Sequence, residues 1–388
     1  MSERIYLDYA ATTPMDSRVL AAMTPYFSDI FGNPASVHRY GQRAEAAVDA
    51  ARETVAAVLS CDPEEIIFTS GGTESDNLAV RGAALARREQ TGGKRVHTSK
   101  TEHPAVGKTV EQLREHYGFD LGWLDNDESG MIPAEGVARA IRSESALVSV
   151  IYANNEIGTI NPIAQIAAAC RGRGIPFHTD AVQAAAYLSL DVRALGVDLL
   201  SLGAHKFYGP KGVGALYVRK GAALVPTQTG GGHESGLRAG TPNVPYIVGF
   251  AEALRLAAEE REARVGHARP LRDQIIGAVL ESVPDAKLTG HAASRLPNHA
   301  SFVFQDVDGN LLLTLLDGAG FACSSGSACK TGNPEPSEVM TALGLPRAWG
   351  LGSLRVTLGA GTTPAHVDAF LKALPPLVEK ARVRQRTL

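Results

Sequence analysis

The stretch Ser201-Leu-Gly-Ala-His-Lys-Phe-Tyr-Gly-Pro-Lys-Gly-Val-Gly214 indicates the fold, because Lys206 follows directly after a largely apolar run, Val197 to Leu202. Such a run predicts a buried strand, and a lysine just beyond its end lies where the strand reaches the surface. The glycines behind the lysine allow the backbone to approach a ligand closely. A lysine amine reacts only when neutral, so it must be partly desolvated or held as an imine near neutral pH. The stretch therefore indicates a Schiff-base lysine.

A second strand-like run, Ile175-Pro-Phe-His-Thr-Asp180, lies upstream and ends in a carboxylate. If this strand is parallel to the lysine strand, Asp180 could reach a pyridine nitrogen and keep it protonated, which makes pyridoxal phosphate an electron sink. On its own, an aspartate at a strand end is more often a helix cap or a turn former. Next to the lysine stretch, the role of Asp180 as a cofactor ligand is favoured.

Length and composition limit the class of protein. The chain has 388 residues, of which 44% are hydrophobic, and a formal net charge of -3. This length allows one large domain and a smaller one, and the charge gives no basis for binding nucleic acid or an anionic membrane. No apolar run approaches the roughly 20 residues that span a bilayer. The first residues lack the apolar core of a signal peptide, so we expect a cytoplasmic protein.

A glycine-rich turn follows the strand-like run Ile66 to Thr69, in the sequence Ser70-Gly-Gly-Thr-Glu-Ser-Asp-Asn-Leu78. Glycines there let backbone N–H groups face an anion, and the start of the next helix contributes positive partial charge. A capping box formed by Thr73 and Asp76 explains the same residues without any ligand. The position of the turn upstream of the lysine strand favours phosphate binding.

Two more polar segments follow predicted strands. His103 comes after the strand Arg95 to Ser99, where it could stack on a cofactor ring and relay protons, or simply cap a helix. Ala153-Asn-Asn-Glu-Ile-Gly158 follows the most strand-like segment, Ala146 to Tyr152. Strands and helices alternate through this region, which predicts an open, mostly parallel sheet with ligands at its carboxyl edge.

The second half of the chain starts with a long glycine-rich loop, residues 230 to 242. We expect this loop to be either a mobile surface loop or a loop ordered by a ligand or a second subunit. A helix from Val244 to beyond Arg261 follows, with a linker expected near residues 260 to 265. The remaining segments mix helices and strands and predict a smaller α+β domain.

This second part contains Phe321-Ala-Cys-Ser-Ser-Gly-Ser-Ala-Cys-Lys-Thr-Gly-Asn-Pro-Glu-Pro-Ser337. Its serines, glycines and prolines predict an exposed loop, and Lys330 beside Cys329 favours the thiolate. Cys329 is therefore either a nucleophile or sulfur carrier, or an incidental surface cysteine. No C-x-x-C pair occurs, so we expect neither disulfides nor a metal site, and structural roles for three cysteines, Cys61, Cys170 and Cys323. Arg355 could hold a carboxylate bidentately or form a structural ion pair.

Taken together, these segments resemble the cysteine desulfurases of the class V aminotransferase family, which have the fold-type-I pyridoxal phosphate architecture. The resemblance runs from Tyr6 to Arg355, and the long segment after Cys329 looks like the group that serves iron-sulfur cluster and nitrogenase assembly. The motifs that carry it are Tyr6-Leu-Asp-Tyr-Ala-Ala-Thr-Thr13, Phe68-Thr-Ser-Gly-Gly-Thr-Glu-Ser-Asp-Asn77, Thr101-Glu-His-Pro104, Asn154-Asn-Glu-Ile-Gly158, His205-Lys206 and Ser325-Gly-Ser-Ala-Cys329.

The resemblance implies an α/β fold with a large domain, residues 15–260, and a small domain formed by residues 1–14 and 261–388. It implies pyridoxal 5'-phosphate as cofactor and the conversion of L-cysteine to L-alanine. The sulfur would leave as a persulfide on Cys329 and pass to an acceptor or iron-sulfur scaffold protein, and the protein would be a homodimer. A class V aminotransferase, a selenocysteine lyase and a non-enzymatic scaffold of the same fold are the alternatives.

The same resemblance implies roles for individual residues. Lys206, Cys329 and His103 would be catalytic, and Asn155 and Arg355 would bind the substrate. Two departures from the pattern stand out: Gly203 occupies a position where many relatives have a phosphate-binding serine, and Ser235 one where many have an arginine. The residues expected to bind the cofactor are Gly72, Thr73, His103, Asn155, Asp180, Gln183, Gly203, His205, Lys206 and, from the other subunit, Thr241.

Overall fold

The computed structural model describes residues 4–325 and 335–386 of the protein. Its strands, in chain order, are β1 Ile5–Tyr6, β2 Ile66–Thr69, β3 Arg95–Ser99, β4 Asp120–Leu124, β5 Ser145–Ser149, β6 Phe177–Asp180, β7 Leu199–Gly203, β8 Gly214–Val218, β9 Ala286–Leu288, β10 His299–Phe304, β11 Phe321–Ala322 and β12 Ser353–Thr357. Seven of these strands form one sheet in the order β2-β8-β7-β6-β5-β3-β4. Only β8 runs antiparallel to its neighbours within this sheet, which confirms the predicted mostly parallel α/β fold.

Helices cover both faces of this sheet. The helices of the described residues, in chain order, are α1 Ser17–Met23, α2 Pro25–Ser28, α3 Arg39–Leu59, α4 Gly72–Thr91, α5 Pro104–Tyr117, α6 Ala134–Ala140, α7 Ile163–Arg171, α8 Val192–Leu195, α9 Val244–Glu259, α10 Arg261–Ser282, α11 Gly309–Gly318, α12 Glu338–Ala342, α13 Arg347–Gly350 and α14 Pro364–Arg386. Successive strand residues point to opposite faces, so Leu199 joins one apolar cluster and Leu200 the other. Burial on both faces explains why the strand before Lys206 is largely apolar.

A third apolar cluster lies among the later elements. Strands β12, β10 and β9 form a three-stranded antiparallel sheet, and α10, α11 and α14 contribute Ile275, Leu312 and Phe370 to its core. Strand β1 pairs with β11, and Leu7 joins the same cluster. The N-terminal residues thus pack with the C-terminal part of the chain. The domain boundaries at residues 14/15 and 260/261 stay a prediction.

The predicted linker at residues 260 to 265 is wrong. Only Glu260 leaves the helical conformation, with φ -91° and ψ 1°, and helix α10 begins at the next residue. The Glu260 carboxylate accepts hydrogen bonds from Arg18 and Arg264, which fixes the bend between α9 and α10. The charged pattern therefore marks a helix surface held by ion pairs and not an extended connection.

The glycine-rich loop, residues 230 to 242, is held by contacts within its own chain. The sequence had suggested a mobile surface loop or a loop ordered by a ligand or a second subunit. Glu234 accepts hydrogen bonds from Arg52 and from the backbone N–H of Phe68, both at 2.8 Å. Farther along, Arg238 forms a 2.8 Å ion pair with Glu74 in the first turn of α4. Both ion pairs are largely buried, so solvent screens them weakly. Across residues 4–325 and 335–386, no helix is both long and apolar enough to cross a membrane.

Candidate active site

Most of the predicted site residues surround one cavity of about 240 Å³ at the carboxyl edge of the parallel strands. The strands explain this convergence, because β6 and β7 end beside each other and lead directly into Asp180 and the Lys206 turn. The residues that line the cavity are Ala10, Ala11, Gly72, Thr73, Asp76, His103, Ile151, Asn155, Asp180, Val182, Gln183, His205, Lys206 and Arg355.

Three predicted residues need separate description. Gly203 is not among the described residues that line the cavity, but it lies next to one of them, since a Cβ atom built on it would lie 3.2 Å from the backbone nitrogen of Gly72. Thr241 is exposed and is not among the described residues that line the cavity of its own chain. Cys329 lies outside the residues that the structure describes.

Lys206 is held at the cavity by the N-terminal segment. Its Nζ atom donates hydrogen bonds to the carbonyl oxygens of Ala10 and Ala11, at 2.6 and 2.7 Å. Burial lowers the pKa of Lys206 from 10.5 to about 8, with a further contribution from the positive charge of Arg355. A substantial fraction of the amine is therefore neutral near physiological pH, as a nucleophile or base requires.

Asp180 ends strand β6 as a buried carboxyl group. Its Oδ1 accepts a hydrogen bond from the backbone N–H of Val182 at 2.9 Å. Burial raises the pKa of Asp180, while His103 and Lys206 act in the opposite direction. A bound cation would favour its ionised form further, because an opposite charge lowers the pKa of a carboxyl group. This is the electrostatic environment that a protonated pyridine nitrogen requires.

His103 both caps helix α5 and lines the cavity, so the capping role and the position beside a ligand that the sequence suggested are compatible. Its Nδ1 accepts a hydrogen bond from the backbone N–H of Ala105 at 3.1 Å, so Nδ1 carries no proton. Burial lowers the pKa of His103, which favours the neutral ring. In that tautomer Nε2 carries the proton, so the side chain is a hydrogen-bond donor at Nε2.

The glycine-rich turn before α4 is not a capping box. The N-cap residue is Gly71, and no side chain caps the helix. Within the described part of the chain, the backbone N–H groups of Gly72 and Thr73 have no hydrogen-bond acceptor. The Asp76 side chain is buried and lies 3.6 Å from His178 Nε2. The helix start therefore leaves donors free for an anion at the cavity.

Two threonines of the N-terminal segment hold the turn that carries Lys206 through hydrogen bonds to His205. Thr12 Oγ1 lies 3.2 Å from Nδ1 of His205, and Thr13 bonds the His205 carbonyl through its backbone N–H and its hydroxyl group. Burial lowers the pKa of His205 to about 4, with help from Lys206. His205 is thus a neutral imidazole beside the free N–H groups of α4, able to donate one hydrogen bond.

Arg355 approaches the cavity from strand β12. Its Nη1 donates to the carbonyl oxygen of Asn155 at 2.9 Å, and its Nη2 pairs with Asp8 at 2.8 Å. The Nε atom is buried and has no acceptor among the described residues. A buried unpaired donor is costly, and a carboxylate ligand would satisfy it. The structural ion pair and the ligand-binding role are thus compatible in this residue.

Comparison with known proteins places this geometry in a family. The family model for aminotransferase class-V matches residues 5–370. The chain belongs to this family. The cysteine desulfurase IscS of Dictyoglomus turgidum is 44% identical to it over 382 residues, covering 98% of this chain and 96% of the relative.

Solved structures of this class V family give the same result. A NifS-like protein has a TM-score of 0.89 and 35% identity, covering 97% of this chain and all of its own. A structure described as SspA in complex with cysteine has a TM-score of 0.79 and 35% identity, covering 92% of this chain and 100% of its own. The similarity therefore extends over the three-stranded sheet and its apolar cluster and not only over the large sheet.

The cavity suits the cofactor of these class V enzymes, pyridoxal phosphate. It offers a lysine with a lowered pKa, a buried carboxyl group, and unpaired N–H groups at the start of α4. These three features match an aldehyde, a pyridine nitrogen and a phosphate group respectively. Gly203 leaves one hydroxyl donor fewer than a serine would, and the backbone donors of Gly72 and Thr73 remain.

Sequence reasoning missed the part that the N-terminal segment has in the site. Asp8, Ala10 and Ala11 lie in a quoted motif, but no role followed from it. The sequence feature that could have indicated this role is a carboxylate and two small residues directly after a short strand. Only the folded chain brings Asp8 to Arg355, and Ala10 and Ala11 to Lys206. Among the other cysteines, burial raises the pKa of Cys323, Cys61 and Cys170, which disfavours their thiolates.

Proposed function

We propose that this pyridoxal phosphate-dependent cysteine desulfurase converts L-cysteine to L-alanine and carries the sulfur as a persulfide on Cys329. The observation that supports the site assignment best is the convergence of Lys206, Asp180 and Arg355 on one cavity. The first offers an amine, the second a buried carboxyl group and the third an unpaired donor for the substrate carboxylate. No metal ion is needed for these steps.

Within this proposal, Lys206 would hold the cofactor covalently until the amine of the substrate replaces it. Pyridoxal phosphate, when bound, withdraws electrons from the Cα atom of the substrate. The released lysine is neutral in part near pH 8 and takes the Cα proton. Asp180 holds a proton on the pyridine nitrogen through its charge. His103 would offer the donor at Nε2 to the bound cofactor.

Substrate recognition would rest on Arg355 and Asn155. The guanidinium group binds the carboxylate of L-cysteine through N–H groups that have no acceptor among the described residues. The Asn155 carbonyl holds Nη1 of the same guanidinium, so its backbone orients Arg355 while its side chain faces the cavity region. Gln183 donates from Nε2 to the Ala10 carbonyl, which leaves its side-chain oxygen for the ring or the substrate.

Sulfur transfer would use the thiolate of Cys329. This thiolate attacks the substrate sulfur, an S–S bond forms, and the C–S bond of the substrate breaks. The electron pair of the broken bond stays with the Cβ atom of the substrate, which gains a proton. The Cα atom regains its proton from Lys206, and L-alanine is released. The terminal sulfur of the persulfide then passes to the thiol of an acceptor protein. An iron-sulfur scaffold protein is the expected class of acceptor, and the cytoplasm the expected location.

A homodimer is part of the proposal, because Thr241 would complete the phosphate site of the partner chain. Thr241 is exposed on its own chain. Large apolar side chains near the start of α3 are also exposed, with Phe31 at 65%, Val37 at 91% and Tyr40 at 56%. An exposed apolar patch of this kind favours a protein interface. Light scattering of the holoenzyme should give twice the chain mass.

A product assay tests the proposed function. Holoenzyme supplied with L-cysteine and a thiol reductant should release alanine and sulfide in equal amounts. An aminotransferase would instead require a keto acid and would release no sulfide. A selenocysteine lyase would act on selenocysteine and leave L-cysteine unchanged. Absence of alanine from L-cysteine would refute the proposal.

A further inference from the structure

Asp8 connects the substrate arginine with the start of the segment that carries Cys329. Its Oδ1 accepts a 2.8 Å hydrogen bond from Nη2 of Arg355, and its Oδ2 accepts another, also 2.8 Å, from the hydroxyl group of Ser324. The side chains of Arg355 and Asp8 are only 9% and 15% exposed, so solvent screens this ion pair weakly. Both carboxylate oxygens are thus used by groups at the edge of the site.

The backbone fixes the position of this carboxylate. The residue before Asp8 accepts a hydrogen bond at its carbonyl from the N–H of Thr357, two residues beyond Arg355. Arg355 and Ser324 also exchange backbone hydrogen bonds with each other. Asp8, Ser324 and Arg355 therefore lie on three neighbouring extended segments. A carboxylate held in this way restricts the rotamers that the arginine can adopt.

The donors of Arg355 divide into occupied and free groups. Asn155 takes one N–H of Nη1 and Asp8 one N–H of Nη2, while the second N–H of each Nη atom and the buried Nε–H have no acceptor among the described residues. An arginine presents its five donors in a fixed planar fork, so holding one N–H of each Nη atom also fixes the direction of the remaining N–H groups. The ion pair thus sets the orientation of the group that remains free for a ligand.

We propose that Asp8 is a positioning residue for substrate recognition, which holds Arg355 so that its free donor meets the carboxylate of the amino acid. This inference rests on the proposed function and deepens it. The alternative is that Asp8 competes with the substrate for Arg355. In that case Arg355 would have to leave Asp8 before the substrate carboxylate could bind, and Asp8 would weaken substrate binding. The two roles predict opposite signs for the same substitution.

Asp8→Asn distinguishes the two roles, because it keeps the shape of the side chain and removes its charge. The holoenzyme is titrated with L-alanine and with ethylamine, which has the same amine and carbon chain but lacks the carboxylate, and the cofactor absorbance is followed. We expect Asp8→Asn to weaken L-alanine binding about tenfold, which corresponds to one charge-assisted hydrogen bond. Binding of ethylamine should stay unchanged.

Two further variants complete the test. Asp317→Asn removes an exposed ion pair with Arg4 near the same strand and should change neither titration. Ser324→Ala removes only the second hydrogen bond of Asp8 and should weaken L-alanine binding about threefold, a result that decides the matter if Asp8→Asn does not fold. Unchanged or tighter L-alanine binding, or equal weakening of both ligands, would overturn the proposal. A wild-type enzyme that makes no alanine from L-cysteine would instead contradict the proposed function.

Discussion

Lys206 donates a hydrogen bond from Nζ to the carbonyl oxygen of Ala10, 2.6 Å away. Gln183 donates to the same carbonyl at 2.8 Å, so the N-terminal segment lies against the carboxyl edge of the large sheet. A carbonyl is a neutral acceptor, so it positions the amine without adding the full opposite charge that would strongly favour protonation. This arrangement is consistent with a lysine that is both held in place and partly neutral.

Replacement of Lys206 by alanine should abolish covalent attachment of pyridoxal phosphate and all turnover of L-cysteine. No other lysine lines the cavity within the described residues. The measurement is the absorbance of the purified protein together with alanine release. Lys211→Ala is the matched control, because Lys211 is an exposed residue of the same stretch, and it should keep both properties. Normal alanine production by Lys206→Ala would disprove the assignment.

The pH dependence of cofactor attachment follows from the lowered pKa of Lys206. Burial and Arg355 bring this pKa to about 8, although Asp180 and Asp8 act in the opposite direction. A lysine is reactive only above its pKa, so the rate of attachment to the apoenzyme should rise up to about pH 8 and then level off. A free lysine derivative under the same conditions should keep gaining reactivity towards pH 10.5. An enzyme rate that rises in parallel with the free amine would contradict the assigned shift.

Gly203→Ser should slow the loss of cofactor on dialysis and leave turnover of the saturated enzyme about unchanged. Gly203 has φ -142°, an extended conformation open to serine, so no positive φ requires the glycine. A hydroxyl group here would add a donor to a bound phosphate, far from the reacting carbon. The new Cβ would lie 3.2 Å from the Gly72 nitrogen, which is a close contact. Faster loss in the serine variant would mean that this contact displaces α4.

Much of the site followed from the sequence because it lies at strand ends. Lys206 and His103 each follow a strand and Asp180 ends one, and the carboxyl ends of parallel strands meet at one edge. The glycine-rich turn was equally visible, since Gly71 and Gly72 lie at the start of a helix directly after a strand. The local sequence pattern was sufficient to predict a site residue where that residue lies on one strand or in the turn that follows it.

The remaining features depend on contacts between distant parts of the chain. Asp8 and Arg355 are 347 residues apart in sequence, so no local pattern pairs them. The glycine-rich loop is ordered by Glu234 on Arg52, 182 residues away, which its composition could not indicate. The charged segment after Glu260 was taken for a linker because ion pairs on a helix surface and a solvated connection have similar composition.

Persulfide formation on Cys329 is the most direct test of the central claim, which is that this residue takes the sulfur of L-cysteine. The holoenzyme is incubated with L-cysteine without reductant, alkylated and digested. The mass of each cysteine-containing peptide is then measured by mass spectrometry to find the one that carries an added sulfur atom. Cys329→Ser should bind L-cysteine, since Lys206 and Arg355 remain, yet carry no added sulfur and release no sulfide. Cys323→Ser is the matched control and should still form the persulfide on Cys329. Sulfide release by Cys329→Ser, with loss of activity in Cys323→Ser, would contradict the account.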